Sequence, residues 1–352
     1  MKKRAMTYLL LWMLLATLPT SCTFFNRTPD DRAQPLEKCA AMYYWRTTWN
    51  PTDGELQFLQ KHQIGRLYLR LFDVVNTTGE DGSAQPTPEA TIQFTQPFQQ
   101  QQEVVPVVFV RDDCLRCDSL LGQRIAQRVA QMCETHDLQW NELQIDCDWR
   151  PSTQDAYFRF LQQTKAELGQ KKLSATIRLH QLSLPTPPVD RGILMCYNTG
   201  SMADATCANA ILEEKEVDKY SQQLGSYALP LGIAYPLFRW NRLFRNGQFE
   251  CLLRQTDLSD TSYFTPTAPG RYAVRHALST PTLDPTSFGI QLRIGDEIWQ
   301  DDVPADLIDR LEAKLESIRP GVHQHTVLYS LNENDILRYS NNEIENAFSA
   351  SR

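Results

Sequence analysis

Residues 143–150 have the sequence Leu-Gln-Ile-Asp-Cys-Asp-Trp-Arg, in which apolar and polar side chains alternate. Successive side chains of a strand point to opposite faces, so the odd-numbered apolar residues share one face, and Asp146 and Asp148 share the other. If helices cover the apolar face, both aspartates point into the interior of a sheet that closes on itself. Arg150 has the same parity as the aspartates and is expected to enter the same space.

Segments of this kind recur along the chain. Eight strands are predicted, at Ala41–Trp45, Arg66–Val74, Val104–Val110, Leu143–Trp149, Leu173–Gln181, Gly192–Asn198, Leu229–Phe238 and Thr326–Leu331. Apolar residues at helical spacing predict helices at Leu121–His136, Gln154–Leu168, Ala208–Leu224 and Ala305–Ile318. Strands that alternate with helices imply a parallel sheet, and eight of them favour an α/β fold of the (β/α)8 TIM-barrel type over an open doubly wound sheet.

The predicted barrel, residues 38–345, departs from a regular one in two places. Only the proline-rich link 184–188 joins the fifth and sixth strands, so the ring of helices is incomplete. An α+β insertion, about 241–325, separates the seventh and eighth strands, with extra strands predicted within Phe244–Leu253 and Phe288–Ile298.

The first residues predict export. Three basic residues, 2–4, precede an apolar run from Tyr8 to Leu18, and small or turn-forming residues 19–21 lead to Cys22. This pattern is typical of a signal peptide, and the apolar run is too short to span a bilayer. Cleavage before Cys22 resembles the processing of bacterial lipoproteins, although proline at position 19 departs from their usual leucine. The resemblance implies a signal peptide at 1–21, a lipid on Cys22, a flexible tether over 22–37 and a place in the bacterial cell envelope; the alternative is a soluble secreted protein.

Composition narrows the range of partners. The formal net charge is −7 and 22% of residues are charged, which argues for a soluble surface and against nucleic acid as a partner. Nine cysteines in an exported chain permit disulfides. The Cys114-x-x-Cys117 pair is better explained by a disulfide or free thiols than by a metal site, and neither a metal nor a cofactor is expected.

Three segments carry a resemblance to a known family. Residues 143–150 are similar to D-G-x-D-x-D-W-E, residues 194–198 (Leu-Met-Cys-Tyr-Asn) to Q-M-x-Y-[DN], and residues 232–240 (Gly-Ile-Ala-Tyr-Pro-Leu-Phe-Arg-Trp) to G-x-P-x-Y-G-R-x-W. On the fourth, sixth and seventh predicted strands, in this order, they resemble glycoside hydrolase family 18, the chitinases and endo-N-acetylglucosaminidases. The chain resembles still more closely the uncharacterised bacterial lipoproteins with glycosidase-like barrels.

The resemblance implies roles for five residues. Asp148 matches the aspartate that orients the acetamido group of the substrate, and Asp146 matches its buried supporter. Tyr197 and Asn198 match residues that hold the acetamido group. Arg150 stands where the family has the glutamate that protonates the glycosidic oxygen. A guanidinium cannot donate that proton at neutral pH, so the family's mechanism cannot run unchanged.

Parity places further polar side chains at the barrel mouth. Arg70 on the second strand, and Arg178 and His180 on the fifth, are expected to approach Asp146 and Asp148. Two interpretations stay open: an internal network that neutralises buried charge, or a pocket in which arginines bind an acidic sugar.

Weaker candidates lie at other strand ends. Glu333 follows the eighth strand and could supply a second carboxylate, whereas Asp73 has outward parity on the second strand. Tyr235 and Trp240 could stack on sugar rings, although both could equally be packing residues.

These features favour a lipid-anchored, exported protein that binds a carbohydrate without the standard catalytic acid. One alternative is an active glycoside hydrolase that uses Asp148 with a carboxylate from another strand, such as Glu333. A structural protein of the envelope is a further alternative.

Overall fold

A computed structural model describes residues 34–79, 82–98, 101–253, 256–283 and 289–352. The predicted signal peptide, Cys22 and most of the predicted tether lie outside these ranges. Within them, none of the helices combines the length and the apolar character that a membrane span requires.

The strands form one barrel and smaller sheets. In chain order they are β1 (Cys39–Tyr44), β2 (Thr48–Trp49), β3 (Arg66–Thr78), β4 (Ala84–Glu89), β5 (Gln93–Phe94), β6 (Glu103–Val110), β7 (Glu142–Asp146), β8 (Lys172–Arg178), β9 (Arg191–Met195), β10 (Leu231–Pro236), β11 (Trp240–Arg245), β12 (Gln248–Leu253), β13 (Phe264–Ala268), β14 (Arg271–Val274), β15 (Leu278–Thr280), β16 (Ile290–Leu292), β17 (Glu297–Asp301) and β18 (His325–Tyr329). Parallel pairing runs β1-β18-β10-β9-β8-β7-β6-β3 and closes from β3 to β1. This closed eight-stranded parallel sheet confirms the predicted TIM barrel.

Helices cover the barrel incompletely, as predicted. They are α1 (Asp53–Lys61), α2 (Leu121–Thr135), α3 (Gln154–Glu167), α4 (Glu214–Leu224), α5 (Ala305–Ile318), α6 (Glu333–Ile336) and α7 (Asn341–Ala347). Between β8 and β9 there is only a short 3-10 helix, Leu179–Ser183, and the proline-rich link. A second gap was not predicted: β3 continues past the barrel and pairs with the antiparallel strand β4, and the described residues between β3 and β6 contain no helix.

Two apolar cores lie on either side of the barrel wall. The larger core fills the space between strands and helices, and it includes Cys147 and Trp149, as parity predicted. The smaller core fills the inside of the barrel, from Ala41 and Tyr43 on β1 to Val327 on β18.

A bulge in β3 changes which side chains point inward. The register between β3 and β6 shifts between Arg70 and Phe72, so that Leu71 is an additional residue. Beyond it, Asp73 pairs with Phe109 and points into the barrel mouth. The outward direction predicted for Asp73 is therefore wrong, because parity cannot be counted across a bulge.

Several elements are shorter than predicted, and three of them bear on the site. The fourth barrel strand, β7, ends at Asp146, and the fifth, β8, ends at Arg178. The helix predicted from Ala208 begins at Glu214. The side chain of Asn209 accepts hydrogen bonds from the backbone of Ile211 (2.9 Å) and of Leu212, which favours a turn over a helix there.

The insertion is a small sheet with its own core. Its antiparallel order is β12-β11-β17-β14-β13, and its strands lie between Trp240 and Asp301. The segment Phe244–Leu253 belongs to a hairpin that turns at Asn246 and Gly247, both with positive φ, and Phe288 lies outside the described residues. Helix α5 lies within the predicted bounds of the insertion, but it packs against α4 and α7 in the helix ring, so the extra sheet ends at Asp301.

Candidate functional site

An open cleft of about 420 Å³ lies at the C-terminal ends of the barrel strands. This is the end at which TIM barrels place their chemistry. Aromatic side chains make up much of its wall, and two carboxylates and one guanidinium face it. Its lining residues are Trp45, Asp73, Phe109, Asp146, Arg178, Met195, Tyr197, Asn198, Phe238, Trp240 and Tyr329.

Asp146 is the buried acid at the base of the cleft. Its side chain is 6% exposed, and its Oδ1 accepts hydrogen bonds from Thr176 Oγ1 (2.6 Å) and Arg178 Nη2 (3.0 Å). Burial acts to lower the pKa of Arg178, but Asp146, Tyr197, Asp148 and Tyr43 together outweigh it, and that pKa lies above its ordinary value. The inward direction of Asp146 and Arg178 agrees with strand parity.

Asp148 lies at the rim, beyond the end of β7. Its side chain is 65% exposed, and its Oδ1 lies 3.6 Å from Arg178 Nε. It lines a second pocket of about 250 Å³, together with His180 and Tyr220. Arg178, Tyr197 and Asn198 line both pockets, so the two adjoin.

Arg70 forms a separate pair on the opposite side of the cleft. Its Nε donates to Asp73 Oδ1 at 2.7 Å, and its guanidinium lies 5.7 Å from the Trp45 ring centroid. Arg70 was predicted to approach Asp146 and Asp148. It pairs with Asp73 instead, because the bulge brings Asp73 within reach.

Arg150 does not enter the cleft. Its side chain is 66% exposed, and its Nε donates to Asp112 Oδ2 at 2.8 Å. The inward direction predicted from parity is wrong here, because β7 ends at Asp146 and Arg150 precedes the 3-10 helix Pro151–Thr153.

Tyr197 and Asn198 line the cleft at the end of β9. Tyr197 packs against Tyr329 with ring centroids 5.1 Å apart, and burial raises the pKa of its hydroxyl well above the ordinary value. Asn198 is exposed and has a positive φ of 53°. Trp240 also lines the cleft and contacts Phe238, with ring centroids 5.3 Å apart.

Two predicted site residues lie elsewhere. Tyr235 points outward from β10, where its hydroxyl lies 2.9 Å from His323 Nε2 and the two rings stack. The side chain of its neighbour Ala234 points into the barrel, so that of Tyr235 points to the helix layer, where it packs in the larger core. Glu333 begins α6 beside α1, where its backbone N–H donates to the buried Glu55, and it lines neither pocket.

Several lining residues were not predicted. Phe109 and Tyr329 could have been found by parity, since they alternate with the inward side chains Val107 and Val327. Asp73 could not, because nothing in the sequence marks the bulge at Leu71.

The described residues contain neither a disulfide nor a candidate metal site. The eight cysteines there, including Cys114 and Cys117, are free thiols. No group of three or more histidine, cysteine or acidic residues among the described ones could hold a metal ion.

Comparison with known proteins identifies the type of barrel. The sequence matches no protein-family model and no curated protein. Three solved structures are similar in fold. The spore cortex-lytic enzyme SleL of Bacillus cereus has a TM-score of 0.53 at 14% identity over 90% of this chain and 75% of its own. A chitinase from Chromobacterium violaceum has 0.52 at 10% identity over 89% of this chain and 98% of its own. A GH18 chitinase from Cycas revoluta in complex with (GlcNAc)3 has 0.51 at 12% identity, over 89% of this chain and 99% of its own.

These similarities concern the backbone, since at 10–14% identity they establish the fold alone. They cover 89–90% of this chain. The chain therefore has a TIM-barrel fold similar to that of the glycoside hydrolase family 18 chitinases.

Proposed function

We propose that the cleft at the barrel mouth binds a glycan and does not hydrolyse it by the family 18 mechanism. The observation that carries this proposal is that the charged residues of the cleft form ion pairs with one another. Asp73 is paired with Arg70, and Asp146 and Asp148 are paired with Arg178.

No acid replaces the missing proton donor in this arrangement. The position that matches the donor holds Arg150, whose side chain turns to Asp112 on the outer rim. A general acid must reach the proton-accepting oxygen within hydrogen-bond distance. Asp73 and Asp146 already accept hydrogen bonds from arginines, and Asp148 lies in an ion pair 3.6 Å from Arg178. Loss of a general acid removes a factor of about 100 to 10,000 in rate.

Binding remains possible because the cleft keeps the features that suit sugars. Tyr197, Phe238, Trp240 and Tyr329 offer aromatic faces, and Asn198 with the Asp146–Arg178 pair offers polar groups at its base. An apolar wall with a few converging polar groups is the usual form of a small-ligand site.

The solved relatives support a carbohydrate as the ligand. The Cycas revoluta chitinase is a complex with (GlcNAc)3, and another structure of similar fold, with a TM-score of 0.51 at 11% identity, is a chitinase-like agglutinin from Robinia pseudoacacia. We infer an N-acetylglucosamine-containing glycan as the first ligand to test.

The arginines favour a neutral over an acidic glycan. An acidic sugar would need a guanidinium without a partner, but Arg178, which lines the cleft, and Arg70 already pair with aspartates. The geometry therefore supports an internal charge network, one of the two interpretations left open by the sequence.

The experiment is to incubate the protein with N-acetylglucosamine oligomers and with acidic polysaccharides, with Asp148→Asn as the control. We expect calorimetric binding of the neutral oligomers and no release of reducing ends. Release by the wild type that the control abolishes would show an active hydrolase. Absence of binding to every glycan would leave the structural envelope role as the better explanation.

We propose further that the protein is exported and anchored to a membrane by a lipid on Cys22. The basic residues, the apolar run and the cysteine that follows it support this proposal. In cell fractionation, Cys22→Ser is expected to move the protein from the membrane fraction to the soluble fraction. A variant that stays with membranes after a high-salt wash would contradict the anchor.

A further inference from the structure

We propose that Asp301, where the insertion meets the barrel, is the residue that positions Trp240 in the wall of the cleft. The proposal rests on the proposed function only in treating the cleft as a glycan site. It concerns how a buried carboxylate outside the barrel holds Trp240, an aromatic residue of the cleft.

Asp301 lies where the insertion meets the barrel. It ends β17, opposite Trp240 in the antiparallel register with β11, and its side chain is fully buried. Oδ2 accepts a hydrogen bond from the Trp240 indole Nε1 at 2.9 Å. The ring of Trp240 is therefore held at one edge by a carboxylate, while its face lies against Phe238 in the cleft.

The same carboxylate also holds the loop between β9 and α4. Its Oδ2 accepts a second hydrogen bond, at 3.0 Å, from the backbone N–H of Ala210. This loop begins immediately after Tyr197 and Asn198, which line the cleft at the end of β9, and β9 pairs with β10, the strand that precedes Trp240. One buried carboxylate thus joins two neighbouring segments of the cleft wall.

Arg242 balances the buried charge and extends the attachment. Its Nη2 donates to Asp301 Oδ1 at 2.9 Å and to the backbone oxygen of Cys207, also at 2.9 Å. The guanidinium is fully buried and lies 5.2 Å from the Trp299 ring centroid. A buried acid with this many partners fixes geometry more strongly than an exposed pair does.

Further bonds attach the same loop to the insertion. Asn209 Nδ2 donates to the backbone oxygen of Asp302 at 2.6 Å, and Arg271 Nη2 donates to that of Ala208 at 2.7 Å. A lid would need to separate from the barrel to admit a ligand, and these contacts oppose that separation. The position of Trp240 is accordingly set before a ligand arrives.

The first test uses the wild-type protein and nuclear magnetic resonance of the seven tryptophan side chains, with Trp240 assigned through Trp240→Phe. A hydrogen bond to a buried carboxylate should slow the exchange of the Trp240 indole proton with solvent. Exchange at the rate of a solvent-exposed indole would overturn the proposal, whether or not any glycan binds.

The second test compares Asp301→Asn with Glu297→Gln. Glu297 is a matched control because it lies on the same strand and accepts an indole hydrogen bond from Trp299 at 3.2 Å, but Trp299 lines neither pocket. We expect Asp301→Asn to shift the Trp240 resonance, to speed exchange of the Trp240 indole and Ala210 amide protons by about tenfold or more, and to weaken binding of (GlcNAc)3 by about tenfold. Glu297→Gln should change none of these.

The outcomes separate this proposal from the proposed function. Failure of the wild type to bind any glycan would refute glycan binding, while the exchange rates would still decide the role of Asp301. Equal effects of the two variants, or an unchanged Trp240 resonance in folded Asp301→Asn, would overturn the positioning role. If Asp301→Asn does not fold, the wild-type exchange rate decides.

Discussion

The two ends of the barrel carry similar pairs of acids and arginines in different surroundings. At the floor, Arg66, Glu103, Glu142 and Arg191 are each the first residue of a barrel strand, and Glu37 from the preceding segment joins them. Arg191 and Glu142 are almost fully buried there. At the mouth, comparable pairs line an open cleft with aromatic walls.

Ion pairs alone do not mark a functional site. Both ends neutralise charges that a barrel cannot leave unpaired, so pairing is a requirement of the fold. What distinguishes the mouth is open space, exposed polar groups and aromatic faces. Changes at the floor should therefore alter stability, and changes at the mouth should alter binding.

The largest effect is expected at the floor. Glu142→Gln leaves the guanidinium of Arg191 with only the half-exposed Glu37 as a charged partner, and should lower the free energy of unfolding by about 3 kcal/mol. Chemical denaturation measures this change. Glu103→Gln is the control, since its carboxylate is 38% exposed, and should cost less than about 1 kcal/mol. A similar loss of unfolding free energy in both variants would show that burial does not decide the contribution of a floor carboxylate.

A smaller effect is expected from the buried acid of the mouth. Asp146→Ala removes two hydrogen bonds and leaves Arg178 with Asp148 as its charged partner, at 3.6 Å, and should cost about 2 kcal/mol. Asp148→Ala should cost less than about 1 kcal/mol, because that side chain is mostly exposed. Equal melting temperatures for wild type and Asp146→Ala would contradict the role of this pair.

Glu37 predicts a pH-dependent effect at the floor. Burial acts to raise the pKa of Glu37, but Arg191 and Arg66 lower it from 4.5 to about 2. A depressed pKa in the folded state contributes stability above pH 4.5, and this contribution is lost as pH falls through about 2. Because the side chain is 47% exposed, Glu37→Gln should cost only about 1 kcal/mol at pH 7.

Denaturation of wild type and Glu37→Gln across this range provides the check. The two curves should converge as the pH approaches 2. A difference that stays constant with pH would show that the ionisation of Glu37 does not contribute.

The smallest expected effect is that of Arg150→Glu. The resemblance of residues 143–150 to the family 18 motif suggests that this change restores the proton donor. The structure predicts no gain in hydrolysis, because the side chain at position 150 leaves the strand and turns to the rim beside Asp112. Release of reducing ends from N-acetylglucosamine oligomers is the assay, and a gain above wild type would show that position 150 can reach the cleft.

The barrel and much of its mouth follow from the sequence for identifiable reasons. Regular alternation along β7 and β8 predicts the inward direction of Asp146 and Arg178, which the structure reproduces. Alternation fails where the strand stops or bulges. The direction predicted for Arg150 is wrong because β7 ends four residues before it, and that predicted for Asp73 is wrong because Leu71 adds a residue to β3.

Other features depend on contacts between distant segments. The role of Asp301 requires the register between β11 and β17, which no local pattern specifies. Alternation on β10 predicts that Ala234 and Tyr235 point to opposite faces of the strand. It does not say which of them points outward, and the contact of Tyr235 with His323, a distant residue, is on the outer face.

Calorimetric titration of (GlcNAc)3 into wild type, Trp240→Ala and Glu103→Gln tests most directly the claim that the mouth binds while the floor stabilises. Loss of one aromatic sugar contact should weaken binding by about tenfold in Trp240→Ala, because a stacking contact of this kind contributes about 1 kcal/mol or more. Glu103→Gln should bind as the wild type does. Equal affinities for wild type and Trp240→Ala, or an equal loss in Glu103→Gln, would contradict the assignment of binding to the mouth.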